Sequence, residues 1–257
     1  MKQHKKMKKT ELPFFEKKYL SGYDYYPFDE IFSSIKHLKK INCSNEKELR
    51  GVLFTIIIQC TTFIEGMCGQ ILFSTIEHKI NEFESEFGKL DEFDGSFEVD
   101  EDKEFYIRVL KNLEKKIDES YFKDLETNWK LVYNQNIVEE IVKKDKELWK
   151  SINHLFTLRN AITHGHVLTI QYKPNRNDKY YEINVLGKYQ KVYAFLTEKN
   201  LIEANSNGMV NIINKQVVGF YIDETKKFIN ALLLSIPQNV EKYFAINKLQ
   251  MIRDKTL

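Results

Sequence analysis

Apolar positions recur at helical spacing along most of this chain and switch to alternation only once. Residues 29 to 41 place Ile31, Phe32, Ile35 and Leu38 on one face, which predicts a short amphipathic helix. Ser44 reads as an N-cap, with Glu46 and Glu48 in the first turn behind it. From there a long helix is expected to about Phe83, apolar on most sides through its middle and therefore central. Gly88 and Gly95 make the next stretch, 84–104, a loop. A charged helix is expected at 104–119 and another at 121–134. One or two more follow over 136–164, ending at Gly165.

Beyond Gly165 the period changes. The segments VLTIQY, YYEINV and YQKVYAFL are rich in β-branched and aromatic residues, with Pro174, Asn175, Asn177 and Asp178 as the turn between the first two. They predict a small antiparallel sheet over 167–213. A final amphipathic helix at 215–235 is stopped by Pro237, and a shorter one closes the chain. The expected fold is mainly α: a helical bundle with a small antiparallel β insertion before the last helices. The corresponding divisions are an N-terminal arm and short helix (1–44), a helical core (45–165), the β insertion (166–213) and C-terminal helices that complete the bundle (214–257).

Charge adds distribution rather than balance. The 39 basic and 37 acidic residues nearly cancel, so net charge nominates no partner. The first nine residues carry five lysines, and ten carboxylates against two lysines crowd Glu84 to Glu104. Solvated chain explains both runs; the alternative is a basic arm for nucleic acid phosphates and an acidic loop guarding a basic cleft. Cys43, Cys60 and Cys68 form no CxxC pair and read as free thiols in a reducing cytoplasm. No secretory h-region is expected at the start. Gly51 to Ile76 is apolar enough to suggest a membrane span, but Gln59, Thr61, Thr62, Glu65 and Gln70 favour a buried helix and no membrane partner.

Candidate chemistry is concentrated in LRNAITHGH, residues 158–166. On a wheel at about 100° per residue, Leu148, Trp149, Ile152, Leu155, Phe156 and Ile162 share one arc. Arg159 falls near the middle of that arc, and Asn160 and His164, four apart, stack at its edge. A guanidinium there requires a partner or a wet cleft. Glu65, the only charged residue between Arg50 and Glu77, is the economical partner. Gly165 is placed as the C-cap, where the helix dipole favours a protonated His164. A cationic fork, an amide and an imidazole suit an anionic substrate that reacts by proton transfer, and RNA cleavage by its own 2′-hydroxyl fits. His154, His164 and His166 match no standard zinc spacing, and no Gly-rich phosphate loop occurs. The rings of Tyr172, Tyr180, Tyr181, Tyr189, Tyr193 and Phe195 suit sheet packing better than base stacking.

Arg159-Asn160-Ala161-Ile162-Thr163-His164, followed by Gly165, resembles the R-x4-6-H motif of HEPN domains. The likeness covers residues 45–165 and the final helix. It implies an all-α bundle and a metal-independent endoribonuclease of the toxin–antitoxin or abortive-infection kind, acting in anti-phage defence. No cofactor is implied. Arg159 and His164 would be catalytic, with Asn160 orienting them or the substrate, and Glu65, Gly165 and His166 supporting. One R-x4-H per chain implies a homodimer that pairs two motifs, with RNA as substrate and an antitoxin or regulatory protein as further partner. Two other readings stand beside it. One is a non-catalytic HEPN module that binds RNA, a nucleotide or a protein; the other is a scaffold fixed by a structural Arg159–Glu65 pair.

Overall fold

The apolar run around Gly51 to Ile76 forms the axis on which the other helices pack. In the computed structural model, residues 27–88, 101–174, 181–202, 212–238 and 250 are described. The lysine-rich start, the middle of the acidic stretch, the turn residues 175–178 and most of the closing segment lie outside them. Helix α1 spans Phe28–Leu38, α2 Glu46–Gly88 and α3 Glu101–Asp118. A 3₁₀ turn at Phe122–Asp124 leads into α4, Leu125–Tyr133, followed by α5, Ile137–Lys144, and α6, Lys146–Thr163. Strands β1, Thr169–Pro174, and β2, Tyr181–Leu186, come next. A second 3₁₀ turn, Gly187–Tyr189, opens α7, Gln190–Glu198, and α8 spans Lys215–Leu233. The described residues are mainly helical with one two-stranded antiparallel sheet, a mainly α fold as expected, with one strand fewer than the sequence pattern predicts.

Helix α2, about 65 Å long at 1.5 Å per residue, touches α1, α3, α4, α6 and α8. Several of its polar side chains bond within the protein, although the Gln59 amide oxygen is buried without a partner. Gln59 donates to Ser34 Oγ of α1 at 2.9 Å, Thr61 and Thr62 donate to the Ile58 carbonyl, and Thr75 Oγ1 pairs with Tyr133 Oη of α4 at 2.6 Å. By length and composition it is the one described helix able to cross a membrane, yet half of its most apolar window is buried inside the bundle. Gly66 lets α1 approach: a Cβ there would sit 2.8 Å from the Phe28 ring, which packs edge-on against Phe63.

Several boundaries differ from the sequence reading. The cap of α2 is Asn45, whose Oδ1 accepts from the Glu48 N–H at 2.9 Å. Ser44 instead binds the Glu48 carboxylate through its backbone N–H and hydroxyl, and these bonds hold Glu48 below the usual carboxylate range. The helices on either side of the acidic stretch extend into it, α2 to Gly88 and α3 from Glu101. Residues 136–164 form two helices because Asp145 leaves helical geometry and caps α6, accepting from the N–H groups of Glu147 and Leu148.

The third expected strand is a helix. In YQKVYAFL the buried side chains are Val192, Phe195 and Leu196, an i, i+3, i+4 set, so their aromatic and β-branched content packs as α7 and only β1 and β2 pair. Tyr189 and Phe195 belong to the core, as packing rather than base stacking predicts, although neither lies on a strand. Tyr180 and the side chains of Tyr172 and Tyr181 lie outside the described residues.

Candidate functional site

Helix α6 carries the motif, and its buried face is broader than the wheel alone shows. Leu148, Ile152, Leu155, Phe156, Leu158 and Ala161 are all buried, against α2 on one side and α8 on the other. The helix stops by a complete Schellman turn. Gly165, at φ +60°, donates to the Ile162 carbonyl at 3.1 Å, and the His166 N–H donates to the Ala161 carbonyl at 2.9 Å. The expected C-cap glycine is therefore present. No atom would meet an added Cβ there, so Gly165→Ala carries only the left-handed backbone penalty, about 1–2 kcal/mol. A fall of a few degrees in melting temperature is expected, and a smaller one for Gly165→Asn; thermal unfolding of both checks it.

Arg159 departs from its expected place. Its side chain is 30% exposed and Glu65 27%, so neither charge is buried outright. Both line a cleft of about 390 Å³ with Tyr121, Phe122, Lys123, Asn153, Phe156, Thr157 and Asn160. Water in this cleft reaches both charges, which the wheel, counting only one helix, cannot show. The expected pair does form, Arg159 Nη2 to Glu65 Oε2 at 3.8 Å, but it is long and open and contributes about 0–1 kcal/mol. Nη1 donates to Asn160 Oδ1 at 2.9 Å, so Asn160 braces the guanidinium. Nε is enclosed with no acceptor. The two outer nitrogens thus hold Asn160 closely and Glu65 at long range, and the guanidinium lies at the edge of the cavity with its side chain 30% exposed.

His164 is placed apart from this group. It is exposed, in the capping turn, and does not line the Arg159 cleft. Its ring centroid lies 5.9 Å from that of His166. His166 Nε2 is 2.7 Å from Lys188 Nζ, and because the ammonium only donates, that nitrogen accepts. Partial burial, the Lys188 charge and His164 hold the His166 imidazole below its ordinary value. One chain therefore brings together Glu65, Arg159 and Asn160 and leaves the imidazole at the helix end.

Other titratable groups follow their surroundings. Burial pushes the Cys60 thiol up to about 12 and raises Cys68 as well, with the Glu65 charge adding to the second, so neither is a nucleophile near neutral pH. His154 stacks on Phe195 at 4.5 Å between centroids. Burial, then Lys150, then Lys191 hold its pKa down, against Glu198, which opposes them. The unfolded chain accepts that proton near pH 6.5 and the folded chain resists it, so this stability is present above about 6.5 and lost as pH falls. His154→Gln is expected to flatten the fall in melting temperature between about pH 7 and pH 5; an unchanged fall contradicts the assignment.

Among the described residues no group of three His, Cys, Asp or Glu side chains is placed to hold a metal ion. Sequence reasoning missed Tyr121 and Lys123, which reach the cleft from the α3–α4 connection. Their only signal is an aromatic–aromatic–lysine run between two helices, which no motif marks. Fold and site together define a mainly helical protein with an arginine-lined cleft at its central helix. Comparison of the chain with protein-family models and curated proteins, and with solved structures, finds no match.

Proposed function

We propose that the chain is an endoribonuclease of the HEPN type, cytoplasmic, acting as a toxin or in anti-phage defence. The observation that carries the reading is the Arg159 guanidinium, braced by Asn160, loosely held by Glu65 and 30% exposed where it lines an open cleft. Arg159 binds the scissile phosphate and stabilises the charge that grows on it. The substrate's 2′-oxygen attacks the adjacent phosphorus, the bond from phosphorus to O5′ breaks, and His164 takes the 2′ proton or gives one to O5′. No metal-bound nucleophile is needed, because the nucleophile belongs to the RNA. Since His164 does not line the cleft of its own chain, a second copy supplies the imidazole, which makes a homodimer the working form.

Incubation with labelled single-stranded RNA in EDTA tests the reading. Cleavage is expected; dependence on Mg²⁺ contradicts it. The separation of His164 from Arg159 also favours a second reading, a module that binds RNA without cutting it. Binding with no cleavage at any protein concentration selects that one. A pure scaffold predicts marked destabilisation by Glu65→Ala, whereas the 3.8 Å contact predicts about 0–1 kcal/mol.

A further inference from the structure

Tyr121 is the most exposed aromatic ring of the described residues, at 67%, and it lines the same cleft as Arg159. The backbone that carries this exposed ring is held in place. Its backbone N–H donates to Asp124 Oδ2 at 3.1 Å, and its carbonyl accepts from the Asp124 N–H at 2.9 Å, closing the 3₁₀ turn. The next residue, Phe122, is buried and stacks on Phe156 of α6 at 4.0 Å and 3°, with Trp149 and Phe228 at 5.7 and 5.9 Å. Lys123 Nζ lies 5.7 Å from the Tyr121 ring centroid. A ring so exposed keeps a π-face open. The Lys123 ammonium lies over one face, and the Arg159 guanidinium lines the same cleft; both are groups suited to phosphates.

We propose that Tyr121 is the stacking platform for one nucleobase of single-stranded RNA, with Lys123 and Arg159 on the flanking phosphates. The proposal rests on the ribonuclease reading and adds what that reading lacks, a residue that contacts a base. Stacking is indifferent to base identity because every base has a π-face, so the site selects single strands over duplex rather than one sequence. Phe122 holds the platform and touches no RNA.

The test uses a short single-stranded oligoribonucleotide carrying 2-aminopurine and 2′-O-methyl groups, which remove the nucleophile and leave binding alone. With the full chain, 2-aminopurine fluorescence is expected to be quenched on binding. Tyr121→Ala is expected to abolish the quench and weaken binding about 5- to 100-fold. Tyr121→Phe, which keeps the ring, is expected to retain both. Lys123→Ala is expected to lower the slope of log affinity against log salt by about one charge. If Arg159→Ala weakens binding and Tyr121→Ala does not, the platform is overturned and the cleft stands. If neither variant changes binding, the cleft is not the RNA site and both readings fall.

Discussion

Replacing His164 by alanine is expected to slow RNA cleavage about 10²- to 10⁴-fold, the usual contribution of a positioned acid or base, without loss of fold. The side chain is exposed, so melting temperature should stay within measurement error of the original. Arg159→Ala is expected to cost about 10²- to 10³-fold through lost charge stabilisation. Arg159→Lys should recover only part, since an ammonium keeps the charge but loses the planar fork that Asn160 now braces at 2.9 Å. Initial rates on one RNA at matched, folded protein concentrations measure all three. Equal rates for the original chain and His164→Ala remove the imidazole from the mechanism.

The largest stability effect is expected from Phe122→Ala. This ring is buried where the 3₁₀ turn meets α6 and α8, packed against Phe156, Trp149 and Phe228. Truncation removes its apolar contacts and leaves a cavity the two helices cannot close, so about 3–5 kcal/mol is lost. Urea unfolding should show it as a lower midpoint with an unchanged slope. Because Tyr121 and Lys123 ride on the same turn, RNA affinity should fall even under conditions where the variant is folded. Phe122→Leu, which keeps most of the volume, should lose much less of both. A loss below about 1 kcal/mol for the alanine variant would mean that the aromatic cluster is not what fixes the turn.

Periodicity alone reached most of the helices, because an apolar stripe on a bundle helix is imposed by the core it faces. It failed where two periods compete. YQKVYAFL has strand-like residue types, but its burial follows Val192, Phe195 and Leu196, and side-chain spacing overrode propensity. The α2 cap slipped one residue because Ser44 and Asn45 are both good caps and only geometry separates them. In the site, the Glu65–Arg159 pair and the Gly165 turn were legible from a lone charge on an apolar helix and a glycine at its end. The sequence left a partner or a wet cleft as alternatives, and what lines the cleft was not legible, since it depends on where the α3–α4 connection passes. Tyr121 and Lys123 were invisible for the same reason: they belong to the site through tertiary placement and carry no periodic signal of their own.

The chemistry at the RNA terminus tests the central claim most directly. The protein, incubated with 5′-labelled single-stranded RNA in EDTA, is expected to leave a 2′,3′-cyclic phosphate on one product and a 5′-hydroxyl on the other, because the nucleophile is the substrate's own 2′-oxygen. Products bearing a 5′-phosphate and a 3′-hydroxyl would contradict it, since they require an external water as nucleophile.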